Sequence, residues 1–385
     1  MEDKNKKKCV IQVLPALNSG GVERGTLELS EALVSSGWRS IVMSSGGRLE
    51  QRLTRRGTEH FTLPTHTKNF FKWPSLMSKM KEIFLDVHPD IIHIRSRVPA
   101  WTAGKVARKL NIPVISTVHG RFVANSPLKR LYNSALLNAD SVIAISKYVS
   151  NNIIKSKPSI KDLVNIIHRG ADIELFNPAI ISESRIIQMS SLIQLPDDSQ
   201  IIMMPARPTK WKGHAKLIEA FSKVSDKKTF CVMPGSNDNG QFVDYLKSVS
   251  NKFNVGGRVL YLPFLDDLPA AYMLADVVVV ASLYPEPFGR VAVEAQAMGK
   301  PVVAFNHGGV AESVIDGITG KLVEPVNADH LSEAINGFLD FSPRKRLKLA
   351  KIARNHVLKN FSREQMTIET IKLYEKTLLK FKNNA

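Results

Sequence analysis

Short apolar runs alternate with longer stretches in which apolar positions recur every three or four residues, and this continues from residue 9 to residue 304. Such alternation is the signature of parallel α/β domains, where each buried strand is followed by a helix that returns the chain to the next strand. In the first half, strands are predicted over 9–17, 40–44, 91–94, 114–118 and 141–145. Helices are predicted over 22–36, 76–85, 99–110, 127–137 and 147–154, and the run 164–167 leads into the loop Arg169-Gly170-Ala171-Asp172. The series then restarts, with strands over 201–204, 229–233, 259–262, 277–281 and 301–304. Its helices are predicted over 214–224, 240–251, 268–273 and 291–298. Between the halves, residues 180–200 carry Ser184, Ser190, Ser191 and the turn Leu195-Pro196-Asp197-Asp198, and read as a polar join. From 342 to 382 a long helical period without strand signal predicts a helix pair that closes the molecule. No short repeat or low-complexity tract interrupts this order.

Two series call for two cores, and 385 residues exceed one ordinary core. The expected domains are 1–178, joined by the last helix at about 362–385, and 179–361. A chain that is 44% hydrophobic and 23% charged is a soluble globular protein, not a disordered one. Cys9 and Cys231 sit inside strand-like runs without metal or redox spacing, so they read as buried thiols in a reducing compartment. The charged residues 1–8 run straight into the first strand, whose apolar stretch is too short to span a bilayer and lacks a small-residue cleavage pattern. No signal peptide and a cytoplasmic location are therefore expected.

Charge divides the chain unevenly. Residues 1–175 hold 27 Lys and Arg against 14 Asp and Glu, a net +13; residues 176–343 hold 14 against 18, or −4; residues 344–385 hold 12 against 3, or +9. The basic first half favours anionic surfaces or substrates, and the acidic middle argues against a chain-long nucleic-acid groove. With no aromatic RNA-binding motif or zinc finger, nucleic acid is not an expected partner.

The sharpest candidate chemistry lies at Glu286-Pro287-Phe288-Gly289-Arg290-Val291-Ala292-Val293-Glu294, after the apolar run 277–281. Open α/β sheets bind ligands beyond the carboxyl ends of their strands. Backbone N–H groups of Phe288, Gly289, Arg290 and Val291 at a helix start suit an anion such as a diphosphate, and Gly289 permits close approach. Glu294 can accept two hydrogen bonds from a ribose diol, and Glu286 can hold sugar hydroxyls. Alone, two acids eight apart fit an acidic loop and a solvated helix face better than a site. A second group, Arg207 and Lys212-Gly213, follows the run 201–204, and two cations there suit two phosphates, one as a planar fork and one as a point charge. The bland reading is a basic solvated loop, more apt for Lys210 than for the other two. Gly20-Gly21, after the first strand, lacks the full G-x-G-x-x-G spacing, which argues against a plain dehydrogenase but leaves a place for phosphate or substrate. His119-Gly120 ends the run 114–118; its imidazole can reach a ligand or serve a structural role.

Together these residues resemble glycosyltransferase family 4, the retaining group whose α/β fold, called GT-B, has two facing Rossmann-like domains. The resemblance spans nearly the whole chain: Gly20-Gly21-Val22-Glu23-Arg24, His119-Gly120, Arg169-Gly170-Ala171-Asp172, Arg207 with Lys212-Gly213, Glu286 through Glu294, His307-Gly308-Gly309 with Glu312, and Asp316-Gly317-Ile318-Thr319-Gly320. The two glutamates in that spacing, preceded by the Arg/Lys pair, are highly specific.

The resemblance implies that Arg207 and Lys212 bind the donor diphosphate and stabilise the leaving group. It implies that Glu294 holds the ribose, and Glu286 the transferred sugar, aided by the backbone of Phe288, Gly289, Arg290 and Val291. His119 would lie near sugar and acceptor, and Gly20 and Gly21 would approach the phosphates. Members of the family need no divalent metal, which fits a sequence whose acidic pairs, Asp197-Asp198 and Asp266-Asp267, fall at turns away from these positions. Transfer with retention is implied, with attack from the leaving-group face and a phosphate oxygen helping to deprotonate the acceptor. A covalent Glu286, by analogy with retaining glycosidases, is not expected. The expected partners are a nucleotide-sugar donor, a glycan or lipid-linked acceptor of cell-envelope or lipopolysaccharide synthesis, and an anionic membrane. The last expectation rests on the basic, aromatic stretch Lys68-Asn69-Phe70-Phe71-Lys72-Trp73; its alternative is that Phe70, Phe71 and Trp73 pack in the core. The alternative function is a non-catalytic nucleotide-sugar-binding protein on the same fold; an epimerase or glycogen-type synthase ranks lower. Base, sugar and acceptor identity are not legible.

Overall fold

The computed structural model describes residues 7–18, 20–122, 126–235 and 240–384; Ser19 of the glycine motif and charged residues 1–6 lie outside them. The chain forms two compact units, one of residues 1–169 with 364–385 and one of residues 170–363. Among the described residues, no helix is long and apolar enough to cross a membrane.

The first unit is a seven-stranded sheet of β1 (Cys9–Val13), β2 (Arg39–Ser44), β3 (Glu59–Thr62), β4 (Ile91–Ile94), β5 (Val114–Val118), β6 (Ser141–Ala144) and β7 (Val164–Ile166). The order is β3-β2-β1-β4-β5-β6-β7, every pairing parallel. The central strands are buried along their whole length, as a parallel sheet covered on both faces demands. The last helix, Arg363–Asn384, supplies Met366, Leu373 and the fully buried Tyr374 to this unit's core beside Trp38, Ile91 and Ile115.

The second unit repeats the plan with β8 (Gln200–Met203), β9 (Thr229–Pro234), β10 (Val259–Leu262), β11 (Val277–Val280), β12 (Val302–Phe305) and β13 (Gly320–Val323), in the order β10-β9-β8-β11-β12-β13. Its core joins strand residues such as Ile202, Cys231 and Val279 to Leu217, Phe221, Leu331 and Ile335 of two helices, His214–Phe221 and Ala328–Leu339. Both cysteines are buried, Cys9 in β1 and Cys231 in β9, as their strand positions predict. In each unit the chain reverses its direction of growth next to its first strand, between β1 and β4 and between β8 and β11. Such a switch point opens a crevice at the strand C-termini.

Several local expectations are corrected. Residues 180–200 are not a plain polar join: Glu183–Ile193 is a helix, capped by Ser182 accepting from the Arg185 N–H. It buries only Met189 and Ile193, and Ser184, Ser190 and Ser191 lie on its exposed side. The single helix expected over 99–110 is two, Arg97–Trp101 and Ala103–Lys109, divided at Thr102, whose hydroxyl donates to the Val98 carbonyl. The first strand stops at Val13; Leu14 and Leu17 stay buried in a loop that Pro15 interrupts. The closing helices are Pro343–Asn360 and Arg363–Asn384. Phe361–Arg363 between them runs beside the loop after Arg169: Ala171 N donates to Phe361 O, and Arg363 N to Ala171 O, both at 2.8 Å.

Candidate functional site

In the second unit, the loops after β8 and β11 meet at the switch point. A short turn, Lys210–Lys212, ends at Gly213 with φ +83°, a backbone region that disfavours side chains. A Cβ on Gly213 would stand 1.8 Å from the Ala281 carbonyl oxygen, so only glycine lets this turn press against the end of β11. Leu283 N donates to Trp211 O at 2.7 Å and fastens the two loops. Lys212 Nζ then donates to Glu286 Oε1 at 2.7 Å and lies 4.3 Å from the centre of the Trp211 ring. The Ser282 hydroxyl donates to the same carboxylate oxygen, and His307 Nε2 bonds the Ser282 carbonyl at 2.8 Å. Burial pushes the His307 imidazole below its usual range, against the Ser282 carbonyl and the Glu286 charge.

Glu286 is 8% exposed and is held from behind by glycines: Gly309 N donates to its carbonyl at 2.8 Å, and a Cβ on Gly308 would collide with its backbone. Phe288 is buried with its ring centre 5.9 Å from that of Phe361. Gly289, φ +97°, stands at the start of the helix Arg290–Ala297, and Val291 is half-buried in its first turn. Glu294, one turn on and buried, accepts from Arg290 Nε at 3.2 Å. Arg207 is exposed and forms no ion pair among the described residues. It borders a cavity of about 210 Å³ with Pro205, Gly235, Phe264 and Leu268, and sequence reasoning singled out none of those four.

The first unit gathers its candidates differently. Gly20, φ +150°, precedes the helix Gly21–Ser35, and the space where a Gly21 side chain would project is open. His119 follows β5 and is half-buried. It meets Arg169, whose Nη2 lies 2.8 Å from His119 Nδ1. Arg95, just after β4, donates from Nη1 to Gln12 Oε1 at 2.7 Å, while its Nε is buried without a hydrogen-bond partner among the described residues. His93 bonds Thr117 through Nε2 at 2.7 Å and the Tyr374 hydroxyl through Nδ1. Burial, then the charges of Arg95 and Arg169, pushes His93 well below the imidazole range. Burial also lowers Arg95 to about 10, opposed by Tyr374, Glu28 and Glu23. His93 and Arg95 were not anticipated; their place directly at the end of a central strand is the signal that could have found them. Among the described residues, no group of three or more His, Cys, Asp or Glu is placed to hold a metal ion.

Glycosyltransferase Family 4 matches this chain over residues 19–175, and Glycosyl transferases group 1 matches it over residues 189–356. The crystal structure of a glycosyltransferase from Rickettsia africae is 32% identical, with a TM-score of 0.90 over 97% of this chain and 99% of that one. An uncharacterized glycosyltransferase of Methanocaldococcus jannaschii is 26% identical over 374 residues, 92% of this chain and 94% of that protein. The crystal structure of Anabaena HepE in complex with UDP and glucose is 22% identical, with a TM-score of 0.82 over 95% of this chain and 99% of that one, a likeness of fold.

Proposed function

The chain belongs to glycosyltransferase family 4 and has the GT-B fold, and we propose that it moves a hexose-type sugar, with retention, from a nucleotide diphosphate sugar to a glycan or lipid-linked acceptor. The observation that carries this reading is the Lys212–Glu286 pair at the second unit's switch point, with Arg207 beside a neighbouring cavity. In this reading the second unit binds the donor and the first takes the acceptor. Arg207 and Lys212 neutralise the diphosphate as it departs, which stabilises the developing charge of the transition state. Glu286 receives sugar hydroxyls alongside the backbone of Phe288, Gly289, Arg290 and Val291. Glu294 receives the ribose diol. The cavity of Pro205, Arg207, Gly235, Phe264 and Leu268 takes the base, with the exposed Phe264 ring offering a stacking face. Gly20, Gly21 and His119 are the first unit's contribution to substrate binding. The UDP and glucose named for the HepE complex support a nucleotide-sugar donor.

The chemistry asks for no metal, because two cations already face the proposed diphosphate. The assay is sugar transfer from a panel of UDP-, GDP- and ADP-sugars, with excess chelator throughout and the anomeric configuration of the product read by NMR. Retained configuration and undiminished rates in chelator are expected. An inverted product, activity that returns only with magnesium or manganese, or no binding of any nucleoside diphosphate would each overturn a named part of this reading.

The acceptor belongs at an anionic membrane on the cytoplasmic side, in cell-envelope polysaccharide or lipopolysaccharide synthesis. The first unit supports this with Phe70 and Phe71, 63% and 80% exposed, flanked by exposed Lys68 and Lys72. Trp73 instead packs against Trp101, whose indole N–H donates to the Tyr132 carbonyl. That contact brings the helix Pro127–Ser134 alongside, with exposed Leu128, Leu131, Lys129 and Arg130. Each Lys or Arg near anionic lipid contributes ~1 kcal/mol, so this cluster suffices for reversible attachment.

A further inference from the structure

Arg169 lies in the loop after β7, outside the proposed donor and acceptor contacts. Its side chain is buried, and the helix Gly21–Ser35 makes room for it at one residue: a Cβ on Gly25 would stand 1.7 Å from Arg169 Nη1. The guanidinium is thus held where its Nη2 reaches His119 Nδ1 at 2.8 Å.

A guanidinium carries five N–H donors and no acceptor. The imidazole nitrogen it faces must therefore present a lone pair, and in the neutral ring the proton sits on Nε2. His119 Nε2 is buried and has no hydrogen-bond partner among the described residues. A buried N–H left without an acceptor costs about 1–3 kcal/mol, so an acceptor supplied by a ligand gains that much by arriving. The groups around the ring do not favour a second proton. Burial, then the charges of Arg169 and Arg95 and the neighbouring His93, hold His119 neutral well below the usual imidazole range.

We propose that Arg169 is a positioning residue that locks His119 as a neutral Nε2–H donor, so that His119 gives a hydrogen bond to an oxygen of the sugar or acceptor and never serves as a base. This rests on the reading that His119 touches substrate. Its consequence for recognition is that this point of the first unit selects an oxygen with a free lone pair. A ligand group that can only donate finds no partner there.

The test is ¹⁵N NMR of the histidine-labelled full chain, with His119 assigned by the loss of its signals in His119→Gln. At pH 7 the wild-type ring should show a protonated Nε2 and a bare Nδ1, unchanged on acidification through pH 6. Arg169→Met should release both tautomers and let His119 titrate nearer the ordinary value of about 6.5. It should lower kcat on the order of 10- to 100-fold with little change in donor KM. Arg169→Lys, which keeps a donor, should restore the Nε2–H form. Gly25→Ala should copy Arg169→Met by displacing the guanidinium without altering residue 169. A protonated Nδ1 in the wild type, or an unchanged tautomer and titration in Arg169→Met, would overturn the lock. Full turnover by His119→Ala would instead remove the substrate-contact reading beneath it, whatever the spectra show.

Discussion

In the second unit Lys212 meets Glu286 and Arg290 meets Glu294; in the first, Arg95 and Arg169 stand beside His93 and His119. The two clusters occupy equivalent places, the strand ends at a switch point, yet one pairs opposite charges and the other gathers like ones. At the paired site each carboxylate already holds a cation, so a ligand must share that cation with an internal carboxylate. A like-charged site keeps its imidazoles neutral and, among the described residues, leaves Arg95 Nε and His119 Nε2 without acceptors. On the proposed function, the second unit's cations take an anion, while the first unit offers hydrogen-bond donors to acceptor oxygens.

Breaking the paired side should have the largest effect. Lys212→Ala removes a cation and leaves Glu286, 8% exposed, without its ion partner; Glu294→Ala removes the carboxylate that Arg290 holds. Each should lower turnover on the order of 100-fold, the usual loss when one charge-stabilising contact disappears from such a site. Steady-state rates of variants with unchanged circular dichroism check this, and near-normal rates in both would sink the assignment.

Gly213→Ala attacks the same pair through the backbone. The added methyl meets the Ala281 carbonyl at 1.8 Å in a backbone conformation side chains rarely adopt, so the turn must lift away from β11. A loss of about 1–3 kcal/mol in the second unit is expected, seen by hydrogen exchange at 277–283, with the first unit unchanged. Equal loss in both units would mean that the effect is not local.

The smallest effect concerns the first unit's basic surface. Phe71→Ser removes the more exposed ring of the Phe70–Phe71 pair and should weaken sedimentation with anionic vesicles about five-fold, ~1 kcal/mol, without changing turnover of a soluble acceptor. Binding that ignores both this change and high salt would leave the apolar tip out of the contact.

The strands of both sheets' centres were legible because they are buried on both faces and read as unbroken apolar runs, as Val277–Val280 does. Edges were not. The strand Glu59–Thr62, with one buried neighbour, carries Glu, His and Thr and reads as loop, and Gly320–Val323 hides behind a glycine and a lysine. Glu183–Ile193 was missed because two buried positions suffice to dock it, too few to set a period. At the candidate site, Lys212, Glu286 and Glu294 stood out as charged residues at strand and helix ends. Ser282 and Arg95 did not, since their part depends on what folding brings opposite them: a carboxylate and a buried glutamine.

The return of the final helix has a consequence in time. The first unit's core needs Tyr374 against His93 and Trp38, and Leu373 and Met366 beside it, yet these residues are made after the entire second unit. At about 5–20 residues per second, the ribosome needs on the order of 10–40 s to pass from Arg169 to the end of the chain. During that interval the second unit can fold to completion while the older sheet waits with an apolar groove along β1, β4 and β5. Residues 364–384 therefore complete a unit whose sheet is made before the second unit, and a nascent chain stalled before residue 364 should carry one native unit and one client for a chaperone.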